Sequence, residues 1–390
     1  MLYGKSNMKI LHMAISDHYT EGMTYQDNML IRQNLLDGHE VTIITDNYMY
    51  VNGEIVKGKE EDYIYTPGLR VIRKAYHPYL NETISSKICR IDGLYELIDS
   101  IDPDVILYHS VYGQPMKVMA AYLKMHPQTR AFIDCHESLY NSGSGHGKIA
   151  NYLFYRVFQK HYLKYVMPYT HKILSVSYNS TEFLKKMYGI PDEQIEFYPL
   201  GGVVMSLEER EQYREARRNE LALNPEDILL VHSGKLEPTK RTEELLDAFY
   251  DVKSNGIRMI IIGSIPADMH DILMPKIQRD NRVQYLGWKS GNELQEYICA
   301  GDLYIQPGLG SATLQNAACC GTAVAVYPHL GYTPVFGEEN VFYIKTKEDI
   351  VSLLNRILED RSYLEAMREK TYSVAKNVLD YRVLAARLYQ

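Results

Sequence analysis

The chain has 390 residues, 46% hydrophobic and 23% charged, with a formal net charge of −7. That length exceeds one ordinary core and fits two domains of similar size, while the acidic balance and the lack of a dense Lys/Arg tract exclude a dedicated nucleic-acid binder. No apolar run approaches the roughly 18 residues of a membrane span; five cysteines without C-x-x-C or zinc spacing, and no signal-peptide pattern, imply reduced thiols in a cytoplasm and no metal site.

In chain order, residues 9–15 (KILHMAI) read as a strand, and a loop over 16–23 leads into a helix over 24–36 that Gly38 closes. Gly22 and Met23 lie just before that helix, where backbone N–H groups can meet a donor phosphate or an acceptor. Residues 41–45, 104–108, 131–134 and 172–176 read as further strands. They are apolar throughout rather than alternating, as expected of parallel strands buried on both faces. His109 and His136 stand at the ends of two of them, His136 beside Glu137, and both are expected to face the active site. A histidine at such a place either bonds a sugar hydroxyl or shares a proton, or it serves the core. Residues 148–170 carry Lys148, Arg156, Lys160 and Lys164 among Tyr152, Tyr155, Phe158, Tyr162 and Tyr165. They read as a core-packing helix with a solvated basic face, with peripheral docking on an anionic membrane as the alternative.

A helix over 178–188 stops at Gly189 and Pro191, and residues 198–203 (YPLGGV) read as an interdomain linker. A charged helix around 206–219 follows. The strand pattern then restarts at 228–233 and continues through 258–262, 283–285, 303–306 and 323–327. The expected organisation is an α/β domain over 1–200, a second over 201–375, and a C-terminal helix over 376–390 that returns to the first.

Ligands of doubly wound sheets bind beyond the carboxyl ends of the strands. The sharpest segment there is 306–324, QPGLGSATLQNAACCGTAV. Gly308 and Gly310 let the backbone approach a ligand, and the helix starting at Ser311, Ala312 and Thr313 offers free N–H groups to a diphosphate. A tight turn before a closely packed helix is the plainer reading. In VHSGKLEPTKRTEELLDAF, Gly234 ends a strand, and Lys235, Lys240 and Arg241 open the next helix, where cations can neutralise a departing diphosphate. Gly287 and Trp288 follow another strand; the single Trp either stacks on a base or packs at a domain edge.

These segments resemble the retaining glycosyltransferases of the GT-B fold, the group 1 enzymes that build bacterial capsule, lipopolysaccharide and glycolipid chains. GHEVTIIT resembles their "GH-x-V-x-V-x-T" strand, and HSGKLEPTKRTEELLDAF their "G-R-L-x-x-x-K-x-x-x-x-L-L-x-A-F". VQYLGWKSGNELQEYICAGDLYIQP resembles the strand and helix before their donor loop. The resemblance implies two Rossmann-like doubly wound domains facing a cleft, the first for the acceptor and the second for the nucleotide sugar. It implies metal-independent hexosyl transfer to a saccharide or lipid-linked acceptor with no cofactor, in a cytoplasmic protein, in surface polysaccharide synthesis. Lys235 and Lys240 would support the donor phosphates, the loop at Gly287 would lie near the base, and His136 near the transferred sugar; His109 and Glu137 fall to the acceptor side. One departure stands out. Where the family carries Glu-x7-Glu, aligning CCGTAV with "ACGTPV" places Gly308 and Asn316. Asn316 can still bond a ribose hydroxyl. The missing acids motivate a second reading, a catalytically silent subunit that binds a partner transferase or an acceptor, and a nucleotide-sugar isomerase or epimerase is a third.

Overall fold

The computed structural model describes residues 7–51, 54–138, 152–310, 313–329 and 331–389. The chain forms two units, Met1–Pro199 with Leu384–Gln390, and Leu200–Val383.

In the first unit the strands are β1 (Lys9–Ala14), β2 (Glu40–Asp46), β3 (Tyr48–Val51), β4 (Glu54–Lys57), β5 (Glu61–Thr66), β6 (Leu69–Lys74), β7 (Val105–His109), β8 (Arg130–Cys135), β9 (Lys172–Ser175) and β10 (Ile195–Phe197). Eight of them make a sheet ordered β10-β9-β8-β7-β1-β2-β6-β5. Every pairing in it is parallel except β5 with β6, which is antiparallel. The order reverses between β1 and β7, which defines a topological switch point there. The stretch 46–74, not read as strands above, supplies the β3–β4 hairpin and the edge pair β5–β6. Its signal is in the sequence: Asn52-Gly53 between YMYV and EIVK is a strong hairpin dipeptide.

The second unit contains β11 (Ile228–Ser233), β12 (Ile257–Ile262), β13 (Val283–Gly287), β14 (Leu303–Gln306), β15 (Ala323–Val326) and β16 (Phe342–Tyr343), in the order β13-β12-β11-β14-β15-β16. All pairs are parallel, the doubly wound order with its switch point between β11 and β14. ILLVHS is buried at every residue, as the continuous apolar run requires of a strand covered on both faces. Helix starts follow local chemistry: Ser206 with Glu209, Ser290 with Glu293 and Thr346 with Asp349 each close a capping box. The helix Leu207–Glu220 is tied to the sheet by Arg214 and Arg218, which both pair with the buried Asp302 at the start of β14.

Several expected helices differ in detail. The one placed over 24–36 runs Gln26–Leu36. The one over 178–188 is α-helical only to Phe183 and continues as a π-turn over Leu184–Tyr188. In 148–170, residues 148–151 lie outside the described residues. The rest comprises a π-helical stretch Phe154–Gln159, an α-helix Lys160–Val166 and a 3₁₀ turn Met167–Tyr169. Gln159, Leu163 and Val166 are buried, while Leu153, Val157, Tyr165 and Tyr169 stand exposed. The C-terminal stretch is a π-turn Ala375–Leu379 and a helix Tyr381–Tyr389, of which Leu384 onward groups with the first unit. All five cysteines are free and buried. Among the described residues no helix is long and apolar enough to cross a membrane.

Candidate active site

The carboxyl edge of the second sheet is built from glycines. Gly234, Gly263 and Gly287 end β11, β12 and β13 side by side: Gly234 N–H donates to Ile262 O (3.0 Å) and Gly263 N–H to Gly287 O (2.8 Å). All three have positive φ. A Cβ on Gly263 would fall 1.8 Å from the Gly234 carbonyl oxygen, so no side chain can stand there. Gly263 was not among the expected residues, yet its signal is the same as for the others: each strand run ends on a glycine.

Across the switch point, the loop after β14 lies on the loop after β11. Leu309 N–H donates to Thr239 O (2.8 Å), and Lys240 Nζ donates to Leu309 O (2.7 Å). A Cβ on Gly308 would lie 2.1 Å from Thr239 O. The family's glutamate therefore has no room at 308 in this loop conformation. Gly310 is equally constrained, because its Cβ would meet the Tyr332 hydroxyl at 1.4 Å. Ser311 and Ala312 lie outside the described residues. Thr313 begins the helix Thr313–Cys319, and Asn316 on that helix is half-buried, its Oδ1 3.7 Å from a Cβ placed on Gly202 of the linker.

The three cations differ in their surroundings. Lys235 is exposed and paired with Glu237 at 2.6 Å. Lys240 is 7% exposed, and burial lowers its pKa below the ordinary lysine value, with Glu237 opposing. Arg241 sits at φ 55°, forks onto Glu244, donates to the Pro307 (3.0 Å) and Lys345 (3.0 Å) carbonyls, and lies over the Tyr327 ring. It is thus a clamp on the loop after β14 rather than a free phosphate ligand. Beside it opens a pocket of about 420 Å³ lined by Thr239, Arg241, Gly308, Leu309, Tyr327, His329 and Lys345. Trp288 follows β13 and is 73% exposed, so it does not pack as an edge residue.

In the first unit, Gly22 lies exposed in a turn at φ 77° with Met23 half-buried beside it. That loop is pinned by the buried Arg73 of β6, which donates to Glu21 (2.7 Å) and to Tyr19 O (3.0 Å). His136 follows β8 with a side chain 43% exposed, its Nε2 3.5 Å from Asp134 Oδ1. Burial works against its charge, but Asp134 outweighs that, with Asp17 and Glu137 adding, and its pKa rises to about 9. His109 must be corrected. It is 2% exposed, the last residue of β7, and its Nδ1 lies 2.8 Å from Asp134 Oδ2. It is closed inside the sheet by the parallel packing of β1, β7 and β8 and offers nothing to an acceptor. Glu137 accepts from Ser110 Oγ (3.1 Å) and Cys135 Sγ (3.2 Å). Asp17, in the loop after β1, was also missed. It is an exposed residue whose charge is felt by His136. Among the described residues no three His, Cys, Asp or Glu side chains gather as metal ligands.

Two family profiles match the sequence: Glycosyltransferase Family 4 over residues 30–201 and Glycosyl transferases group 1 over residues 213–374. No curated protein matches it in sequence. Among solved structures it is similar to HepE from Anabaena in complex with UDP, at 15% identity over 98% of both chains with a TM-score of 0.66. It is also similar to a glycosyltransferase from Rickettsia africae, at 11% identity over 98% of this chain and 97% of that one, TM-score 0.66. WaaG, a glycosyltransferase involved in lipopolysaccharide biosynthesis, matches at 14% identity over 97% of this chain and 98% of its own, TM-score 0.58. These likenesses give the fold, and the two profiles, which leave only 202–212 unmatched between residues 30 and 374, give the family: the chain is a group 1 glycosyltransferase of the GT-B fold.

Proposed function

We propose that the protein transfers a hexosyl group from a nucleoside-diphosphate sugar to a saccharide or lipid-linked acceptor with retention of configuration, in bacterial surface glycoconjugate synthesis. The observation that carries this reading is the glycine edge of the second sheet. Gly287 has open space where a side chain would stand, Gly234 and Gly263 let the strand ends close on one another, and Lys240 stands at the switch point beside the loop that carries Gly308. HepE, with the same fold, is described in complex with UDP and with UDP-glucose, so a uridine diphosphate sugar is the first donor to try.

In this reading the nucleotide lies along the glycine edge, with Trp288 at the base and Asn316 toward the ribose. Lys240 keeps one of its three ammonium protons on the Leu309 carbonyl and has two left for the diphosphate. Charge on that diphosphate grows as the glycosidic bond breaks, so a fixed, partly desolvated cation favours the transition state over the bound donor. Lys235 adds a second, mobile cation from the solvent side. The two lysines take the place of a metal, and chelation by EDTA should leave turnover unchanged. His136 is the first-unit residue assigned to bond a sugar hydroxyl or share a proton during transfer. Anionic lipid is the surface proposed for Leu153, Val157, Tyr165 and Lys164.

The test is steady-state release of UDP from UDP-glucose. Lys240→Ala should lower kcat on the order of 100-fold while raising the donor KM much less; Asn316→Ala should mainly raise KM. Equal effects of Lys240→Ala on kcat and KM would remove its role in the transition state.

A further inference from the structure

The pair His109–Asp134 is part of a longer row that crosses the switch point of the first unit. Asn34, on the helix Gln26–Leu36, donates its amide Nδ2 to the Tyr389 hydroxyl. Its Oδ1 is then the acceptor for His12 Nε2–H at 2.7 Å. That leaves His12 Nδ1 to accept from His109 Nε2–H at 2.9 Å, and His109 Nδ1–H to donate to Asp134 Oδ2 at 2.8 Å. The other Asp134 oxygen accepts the Ser110 N–H at 2.9 Å and faces His136 Nε2. His12, Asn34, His109 and Asp134 are all buried.

The bond pattern fixes the charges. His12 is neutral, because it accepts at Nδ1, and burial together with the charge on His109 pushes its pKa down to about 3. His109 donates from both nitrogens and is an imidazolium. Burial alone would discharge it, but Asp134 outweighs burial and its pKa ends above the ordinary value. Burial likewise opposes the charge on Asp134, which His109 and His136 hold far below the usual carboxylate range. One buried carboxylate therefore stands between two imidazoliums.

A core has no need of this row. Replacing a buried ion pair with well-packed apolar residues is often neutral or stabilising. What Leu or Ile could not do at these positions is hold a carboxylate at a set angle and charge beneath a solvent-facing histidine. Such supporting groups fix the orientation and basicity of the side chain they back.

We infer that Asn34, His12, His109 and Asp134 form a positioning network for His136, holding the Asp134 carboxylate as a fixed counter-ion that aims the His136 imidazole and keeps it protonated during transfer. The inference rests on the proposed role of His136 in sugar transfer. The charged groups around His136 are Asp134 beneath it, Asp17 from the loop after β1 and Glu137 next in the chain.

The decisive readout needs no substrate. Titration of the His136 ring by NMR should give a midpoint near 9 in the parent protein, against 6.5 for an ordinary histidine. Asp134→Asn should move that midpoint down by more than one unit. A parent midpoint near 6.5, or an unchanged midpoint in Asp134→Asn, overturns the network, and the parent measurement alone suffices if the variant does not fold. The second readout is UDP release from UDP-glucose. Asp134→Asn should slow it about 10- to 100-fold, and should cost nothing further when added to His136→Ala. An equal cost in both backgrounds overturns the inference, since the carboxylate would then act without His136. If Asp134→Asn shifts the midpoint but His136→Ala leaves the rate intact, the network stands as a control on His136 while the catalytic reading of His136 falls. If the parent releases no UDP, that donor is wrong and the NMR midpoints still decide the network.

Discussion

At Gly263 and Gly308 the limiting fact is the nearest backbone oxygen. A methyl group on Gly263 meets Gly234 O at 1.8 Å, with φ already at 140°, and one on Gly308 meets Thr239 O at 2.1 Å. Backbone cannot move aside as a flexible side chain can, so either the strand end or the loop must shift. Gly263→Ala should destabilise the second unit by about 2 kcal/mol or more and weaken UDP binding, read by thermal melting with and without UDP. Gly308→Glu, which restores the family's acid, should lower activity rather than raise it. A gain in turnover by Gly308→Glu would show that the loop after β14 adopts another conformation when donor is bound. The Lys235–Glu237 pair lies on the surface, where water and salt screen an ion pair, and Glu237→Ala should leave stability unchanged.

Among the elements, the segment 152–169 shows why periodicity alone could not separate core from surface. Its sequence reads as one amphipathic helix, but the π-helical stretch Phe154–Gln159 shifts the register of the face that follows. Gln159 is drawn inward to accept from Gly113 N–H at 2.7 Å, while Leu153 and Val157 turn out to solvent. Arg156 is held by the Lys186 carbonyl at 2.7 Å, which leaves Lys164 as the freer charge. Co-sedimentation with anionic vesicles should be abolished by Lys164→Glu combined with Val157→Glu, and reduced at high salt. Retention of the double variant on vesicles, or no binding by the parent protein, removes the membrane from the proposed function.

For the whole molecule, buried neutral histidines dictate how acid acts. His232, in β11, is fully buried between Ile305 O and Thr242 Oγ1, and burial lowers its pKa to about 4. The unfolded chain binds that proton near 6.5 and the folded one near 4, so stability is full above 6.5 and declines as pH falls toward 4. The expected loss between pH 7 and 4.5 is on the order of 2 to 3 kcal/mol. Urea midpoints should fall over that range, and His232→Gln should flatten the fall; the same pH slope in the variant would refute the assignment. The first unit carries opposing groups. His12 acts in the same sense as His232. His109 and His136 have raised values, so their contribution is full below 6.5 and lost as pH rises through the folded pKa.

How much of this was legible in the sequence follows from where each cause lies. Doubly wound sheets, their strand runs and the glycines at strand ends are local: a buried parallel strand must be apolar throughout, and a tight exit needs a residue without Cβ, so ILLVHSG and the turn at Gly308 announce themselves. The hairpin over 48–57 was equally local, in an Asn-Gly flanked by β-formers. The roles of His12, Asn34, His109 and Asp134 were not, although a polar residue inside an apolar strand is itself a flag. They lie up to 122 positions apart across four elements, as the separations His12–Asn34 and His12–His109, 22 and 97, already show. Only the strand order, which sets β7 beside both β1 and β8, brings those side chains into one row. The same holds for Arg241, whose carbonyl partners at Pro307 and Lys345 come from loops that only the sheet order makes neighbours. Residue type declared what each group can do; the tertiary structure decided which partner it meets, because hydrogen bonds and charge act over ångströms in space and not along the chain.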